Sequence, residues 1–119
     1  MYSRQVLDHF EHPRNPGVVD SPDASAQVEN PACGDILNLT AKLADGRLAA
    51  VRFLAKGCVS AIACGSALTE LVTGKTLKEA AAVNREDLLH ELGSLPEASS
   101  HASHLAMDAL ASLLRQFSD

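Results

Sequence analysis

Two of the three cysteines in this 119-residue chain stand in patterns that could bind a metal. The stretch NPACGD places Cys33 and Asp35 two residues apart, with Gly34 between them. Glycine permits backbone conformations that can turn both neighbouring side chains toward one point. Cys58 stands where a predicted strand ends and a predicted helix begins. The N–H groups and dipole at a helix N-terminus stabilise a thiolate, the metal-binding form of cysteine.

A fourth ligand could come from His101 or His104, at the start of the last predicted helix. Residues three apart share a face of a helix. Two thiolates, one carboxylate and one imidazole form a plausible tetrahedral zinc set. The same groups could hold an iron–sulfur cluster, in which thiolates are the usual ligands and histidine is a known substitute. The residues alone leave the histidine and the metal undecided.

The remaining cysteine and histidines have simpler interpretations. Cys64 lies among small residues inside a predicted helix, six residues beyond Cys58. Six is not a same-face helical spacing, so we expect a buried thiol that ligates nothing. Cys64 becomes an additional ligand only if its side chain turns toward the site. His9, His12 and His90 are expected to be solvated or to cap helices.

A β-hairpin is predicted to bring the candidate ligands together. The segments ILNLTAKL and RLAAVRFLAKG show the two-residue period of half-buried strands, and Asp45-Gly46 between them is a tight-turn motif. The residues expected to face the core are Leu37, Leu39, Ala41 and Leu43, then Ala49, Val51, Phe53 and Ala55. Antiparallel pairing places the start of the first strand beside the end of the second. Cys33, Asp35 and Cys58 should therefore meet at one end of the sheet.

Helices are predicted on both sides of this hairpin. A short first helix, from Ser3 to about Glu11, has Val6, Leu7 and Phe10 on one face, and AQVE is a candidate edge strand. The later predicted helices are Ser60 to about Thr73, one opened by the capping box TLKE, one from Asn84 to near Gly93, and a last one opened by Ser99 or Ser100. Strands followed by helices predict an α+β domain.

Composition excludes several classes of protein. A hydrophobic share of 46% predicts a folded core, and the length suggests a single domain over residues 1–119. A net charge of -5 argues against nucleic acid as a partner. The chain shows neither an apolar run of membrane-spanning length nor an apolar signal core near its N-terminus. We therefore expect a cytoplasmic protein without a membrane partner, whose cysteines are free thiols or ligands.

Five segments of the chain, in order, match the sequence pattern of one protein family. YSRQVLDHFEHPRNPG is similar to the family's opening segment, and NPACGD to its first ligand motif. GCVSAIACGS is similar to the second ligand motif, TGKTLKEA follows at the expected distance, and LGSLPEASSHASHLAMDAL resembles the closing segment. With these segments the chain resembles the iron–sulfur cluster assembly scaffolds of the IscU and NifU N-terminal family, and the similarity covers nearly the whole length.

The resemblance implies a fold, a function and a ligand set. The fold would be a small antiparallel three-stranded sheet packed against a bundle of helices, as in the SufE and NifU type. The protein would be a scaffold and not an enzyme. It would receive sulfur from a cysteine desulfurase, assemble a [2Fe–2S] cluster and pass it to recipient apo-proteins. The implied ligands of iron or cluster, with zinc possible at the same site, are Cys33, Asp35, Cys58 and His101.

Two departures from the family pattern leave alternatives open. Ala102 stands where the family has a third cysteine, which often accepts sulfur as a persulfide. The segment Leu-Pro-Pro-Val-Lys, which some members present to a dedicated chaperone, is LPEAS here, so we do not expect recognition by that chaperone. The alternatives are a zinc-bound, SufU-like sulfur-transfer partner of a desulfurase and a degenerate member that only binds metal.

Overall fold

A three-stranded antiparallel sheet packed against helices forms the protein, as a computed structural model that describes residues 2–32 and 34–117 shows. The elements are α1 (Arg4–Glu11), β1 (Ala24–Asn30), β2 (Asp35–Ala44), β3 (Arg47–Lys56), α2 (Val59–Val72), α3 (Leu77–Ala81), α4 (Arg85–Leu92), a 3-10 turn (Glu97–Ser99) and α5 (His101–Arg115). The sheet has the order β1-β2-β3. The predicted α+β class and three-stranded sheet are confirmed.

The predicted hairpin forms around a two-residue turn between β2 and β3. Asp45 and Gly46 both have positive φ, at 54° and 74°. Positive φ at both central residues is the requirement of the type I′ turn, whose twist matches that of the flanking strands. The AQVE segment is part of β1, which pairs with β2 from Ala24 opposite Ala41 to Asn30 opposite Asp35.

A β-bulge next to the turn changes which residues of β3 face the core. Lys42 pairs with Ala50, whereas Leu43 pairs with Leu48, so Ala49 is an extra residue without a partner on β2. The predicted inward position of Ala49 was therefore wrong: Ala49 is exposed and Leu48 is fully buried. An extra residue shifts the inward and outward alternation by one position on the turn side of the bulge and leaves the rest of the strand unchanged. Val51 and Phe53 keep their predicted inward positions.

The first helix turns a different face to the core than its apolar residues predict. Ser3 caps α1, and Val6 is fully buried as expected. Leu7 is 41% exposed, however, while His9 is buried. The expectation that His9 is solvated was therefore wrong. Residues 6 and 9, three positions apart, lie on the same face of α1. Helix α1 packs against α2.

The two longest helices, α2 and α5, cover the sheet and enclose the core. Helix α2 packs against β3, and α5 packs against β1 and β2. Both predicted capping residues of the shorter helices, Thr76 and Asn84, form capping boxes. Ser100 precedes α5 without a side-chain capping bond, because the 3-10 turn leads directly into the helix. Among the described residues, the helices are too short or too polar to cross a membrane.

Candidate metal centre

Asp35 and Cys58 lie close together because of the register of the hairpin. Asp35 is the first residue of β2, and its neighbour Ile36 pairs with Lys56, the last residue of β3. Gly57 and Cys58 follow directly, so the chain reaches the Asp35 side chain within two residues of leaving the sheet. The Cys58 Sγ lies 3.6 Å from the Asp35 Oδ2.

Cys58 also begins helix α2. It is the N-cap residue, with extended backbone angles, and its carbonyl oxygen accepts hydrogen bonds from the amides of Ala61 and Ile62 at 3.1 and 3.3 Å. Its side chain makes no capping bond to the helix. The thiol is therefore available to Asp35 and to a bound metal. Its half-buried position leaves it partly open to solvent.

His101 completes a group of three different donors. It is the first residue of α5, and its Nε2 lies 3.1 Å from the same oxygen, Asp35 Oδ2. The candidate ligand atoms of Asp35, Cys58 and His101 all lie within 4.8 Å of one another. Asp35 is buried, at 5% exposure, whereas the His101 side chain is 33% exposed. One sulfur, one oxygen and one nitrogen donor thus surround a point near the surface.

The predicted fourth member, Cys33, lies outside the described residues, so its place in the group stays a prediction. The described residues on either side of it form a turn between β1 and β2. Within that turn the Gly34 amide donates to the Asn30 carbonyl at 2.7 Å, and the Ala32 amide to the Asn30 side chain at 3.0 Å. Gly34 has a positive φ of 75°. These bonds hold both ends of the turn directly beside Asp35.

Among the described residues, the two predicted as possible additional ligands are not part of the group of donors that lie within 4.8 Å of one another. His104 is exposed, and with His101 and Pro31 it lines a surface depression of about 240 Å³. Cys64 is fully buried within α2. Burial raises the pKa of the Cys64 thiol to about 12, and the neighbouring Cys58 adds to the rise. Cys64 is therefore a neutral thiol in the core, as expected from its position six residues beyond Cys58.

Ala102, where the family has a third cysteine, is buried. It is 1% exposed and belongs to the hydrophobic core, although it directly follows the half-exposed His101. In this chain a methyl group stands at this position, so among the residues that the structure describes only Cys58 offers a thiol to the group.

A second cluster of polar residues, which the sequence analysis missed, connects α1 to α2 and α4. It consists of His9, Glu70 and Glu91, whose potential ligand atoms also lie within 4.8 Å of one another. The His9 Nδ1 is 2.7 Å from the Ser66 Oγ, which also accepts a bond from the Arg14 amide at 2.8 Å. The spacing of His9 from Val6, three positions along one helix face, was the available indication.

The surroundings of His9 indicate a structural role. Burial lowers the pKa of its imidazole below the ordinary value, and the charge of Arg14 lowers it further, against the opposing effect of Glu70. The Arg14 Nε lies 3.8 Å from a Glu70 carboxylate oxygen, so a cationic side chain already faces that carboxylate. We interpret His9 as a neutral imidazole that anchors α1 to α2.

Comparison with known proteins identifies close relatives of this chain. The "Iron-sulfur cluster assembly scaffold protein IscU 1" of Archaeoglobus fulgidus is 43% identical over 110 residues, which cover 92% of this chain and 72% of the relative. The "Iron-sulfur cluster assembly scaffold protein IscU" of Escherichia coli K12 is 43% identical over 120 residues, covering 98% of this chain and 93% of the relative.

Solved structures show the same fold. The crystal structure of the "Putative iron-sulfur cluster assembly scaffold protein for SUF system" from Fervidobacterium islandicum superposes with a TM-score of 0.77 at 21% identity, over 95% of this chain and 96% of the other. A NifU-like N-terminal protein from Brucella abortus superposes with a TM-score of 0.76, also at 21% identity, over 96% and 92%. A sequence model of the NifU-like N terminal domain matches residues 1–119. With this match and the two 43% identical relatives, the chain belongs to the NifU-like N-terminal domain family.

Proposed function

We propose that this protein is a scaffold on which an iron–sulfur cluster is assembled and from which it is passed to recipient proteins. The observation that carries the proposal is the convergence of Asp35, Cys58 and His101 within 4.8 Å at one end of the sheet. Relatives at 43% identity are named as scaffolds of this kind. We assign Cys33 as the fourth ligand and residues 1–119 as one scaffold domain.

The donor set suits a cluster that is cargo and not a permanent cofactor. Thiolates are the usual ligands of iron–sulfur clusters, and histidine replaces them in some. The Asp35 carboxylate is a hard ligand that binds a soft cluster less firmly than a thiolate. Two thiolates and one carboxylate with a [2Fe–2S]²⁺ core give a net site charge of about -1 when His101 is neutral. The partly exposed His101 leaves a side from which a recipient protein can approach.

The partners follow from this chemistry. A cysteine desulfurase supplies the sulfur, and apo-proteins with free cysteine ligands receive the cluster. Because residue 102 is alanine, sulfur delivered as a persulfide must arrive on Cys33 or Cys58. The protein holds and transfers the cluster and does not turn over a substrate as an enzyme does. We do not expect the segment LPEAS to be bound by the chaperone that recognises Leu-Pro-Pro-Val-Lys.

Anaerobic reconstitution tests the proposal. The apo-protein is incubated with Fe²⁺, L-cysteine, a cysteine desulfurase and dithiothreitol, which supplies the electrons that reduce persulfide sulfur to sulfide. It is then analysed for iron, sulfide and visible absorption. We expect iron and sulfide in equal amounts with a [2Fe–2S] spectrum. Cys33→Ala and Cys58→Ala should prevent cluster formation, and the control His104→Ala, at an exposed position outside the group, should not. A native chain that takes up neither iron nor sulfide under these conditions would overturn the proposal.

A second candidate function is that of a zinc-bound partner in sulfur transfer. The observation that favours it is the mixed sulfur, oxygen and nitrogen donor set, which fits tetrahedral zinc. Metal analysis of protein purified without oxygen separates the two. Stoichiometric zinc, no cluster after reconstitution and faster turnover of the desulfurase would favour this candidate. Zinc that iron and sulfide replace during reconstitution would favour the scaffold.

A further inference from the structure

Gly57, the residue between β3 and Cys58, lies in direct contact with the Asp35 carboxylate. An ideal Cβ built on Gly57 would lie 2.2 Å from the Asp35 Oδ1, 2.6 Å from its Cγ and 3.1 Å from its Cβ. Non-bonded carbon and oxygen atoms do not approach to 2.2 Å, so any side chain at position 57 displaces either the carboxylate or the main chain. Gly57 also has a φ of 151°, which L side chains rarely adopt.

Neither group can move without changing the metal centre. Asp35 is only 5% exposed, so its carboxylate has little open space into which it could rotate. Its other oxygen, Oδ2, is the atom that lies 3.6 Å from the Cys58 Sγ and 3.1 Å from the His101 Nε2. A shift of the main chain at residue 57 would move Cys58, which is the next residue. Both responses change the distance between the carboxylate and the thiol.

We propose that Gly57 is a positioning residue of the metal centre, because its missing side chain lets the Asp35 carboxylate lie against the main chain with Oδ2 between Cys58 and His101. The inference rests on the proposed function, which makes Asp35 a ligand. The backbone at φ 151° already favours glycine at this junction, and the contact with Asp35 is a second, independent reason for it. The residue touches a ligand but would not itself bind the metal.

Binding of Co²⁺ to the apo-protein tests this role without cluster assembly. The thiolate-to-cobalt absorption band reports both the affinity and the ligand set. We expect Gly57→Ala to weaken Co²⁺ binding by about 10- to 100-fold, the usual effect of losing the support of a metal ligand. The control Gly74→Ala changes a glycine that also has positive φ, 87°, but whose added Cβ would have no atom within 4 Å. It should bind Co²⁺ as the native chain does.

A double-mutant cycle with Asp35→Ala separates the contact from backbone strain. Asp35→Ala removes the Oδ1 and Cγ atoms that the methyl group of Gly57→Ala would meet, but leaves the strain at φ 151° unchanged. If Gly57 acts through Asp35, adding Gly57→Ala to Asp35→Ala should weaken Co²⁺ binding much less than in the native background. An equal loss in both backgrounds, or native affinity of the single Gly57→Ala variant, would overturn the proposal.

Urea unfolding of the same four proteins covers the case in which Gly57→Ala does not fold. Recovery of folding in the double variant would support the contact, and failure of the double variant to recover would overturn it. The test of Gly57 can also succeed or fail independently of the proposed scaffold function. Native Co²⁺ affinity that depends on Asp35 and Gly57, in a chain that assembles no cluster, would support Gly57 as a positioning residue while rejecting the scaffold.

Discussion

At the scale of single residues, two thiols of the same helix region have opposite environments. Cys58 is half-buried at the N-cap of α2, beside Asp35, whereas Cys64 is fully buried about 1.7 turns further along. Desolvation disfavours the charged thiolate of Cys64 and raises its pKa to about 12. The same residue type therefore serves as a candidate ligand at one position and as core packing at the other.

Thiol labelling of the folded apo-protein should distinguish these two environments. We expect an alkylating reagent at neutral pH to modify Cys58 well before Cys64, because the reactive form is the thiolate and Cys64 is both neutral and inaccessible. Mass spectrometry of tryptic peptides gives the order. In denaturant the two rates should become similar. Modification of Cys64 first in the folded protein would contradict the described packing.

Replacing Asp35 tests why a carboxylate stands among the proposed ligands. Asp35→Cys exchanges an oxygen donor for a thiolate, which binds an iron–sulfur cluster more firmly. We expect the reconstituted variant to hold its cluster longer and to transfer it more slowly to an apo-ferredoxin. The decay of visible absorption and the rise of ferredoxin signal measure both rates. His104→Cys, outside the ligand group, serves as the control, and unchanged transfer by Asp35→Cys would argue against this role of the carboxylate.

At the scale of elements, α1 is held by a buried imidazole and not only by apolar contacts. The His9 Nδ1 is within hydrogen-bond distance of the Ser66 Oγ on α2, and its Nε2 lies 4.0 Å from the Glu70 Oε1. Burial keeps the pKa of His9 below the ordinary 6.5, so the folded state resists protonation that the unfolded chain accepts. Stability should therefore depend on pH through this residue.

The sign of that dependence can be predicted. As pH falls below about 6.5, the unfolded state binds a proton at His9 before the folded state does, so the free energy of unfolding decreases until the pH passes the folded pKa. Urea unfolding between about pH 8 and pH 5 measures the slope. His9→Gln should flatten it, and His12→Gln, at an exposed position, should not. An unchanged slope in His9→Gln would place the titrating group elsewhere.

The bulge between β2 and β3 leads to a prediction about stability, because it buries Leu48 and exposes Ala49. Leu48→Ala should lower the free energy of unfolding by about 2–5 kcal/mol, because it opens a cavity in the core. Ala49→Ser, one residue away, should change it by less than about 0.5 kcal/mol, since its side chain faces solvent. Chemical denaturation of both variants provides the measurement. A larger loss of stability in Ala49→Ser than in Leu48→Ala would instead support the inward position of Ala49 that the sequence predicts.

At the scale of the whole molecule, the candidate metal centre joins parts of the chain that are distant in sequence. Asp35 begins β2, Cys58 caps the start of α2 and His101 begins α5, so one bound ion would connect the sheet to both helices that cover it. A ligand that binds only the folded state stabilises it according to its concentration and affinity. Metal binding should therefore be visible in global unfolding.

Zinc should raise the thermal stability of the apo-protein. At a free Zn²⁺ concentration about 100 times the Kd, the gain is about 2.7 kcal/mol, or about 10 °C in Tm for a chain of this size. A chelator should reverse the shift. Cys58→Ala should lose most of it and His104→Ala should keep it, as followed by circular dichroism. A full shift in Cys58→Ala would mean that zinc binds elsewhere.

The sequence alone determined the features that depend on short stretches of chain. Alternating apolar residues and Asp45-Gly46 predicted the hairpin, Thr76 and Asn84 predicted helix starts, and the antiparallel geometry predicted that Asp35 would approach Cys58. These features follow from local periodicity, turn chemistry and capping, which neighbouring residues specify.

Only the tertiary structure decided which side chains meet across elements. His9 is buried because α2 and its Ser66 lie over it, and Leu48 replaces Ala49 in the core because the register with β2 shifts by one residue. His101, and not His104, reaches Asp35 because of the way α5 packs on β1 and β2. The contact of Gly57 with Asp35 likewise depends on strand pairing. Such contacts join residues far apart in sequence, and no local pattern encodes the packing that places them.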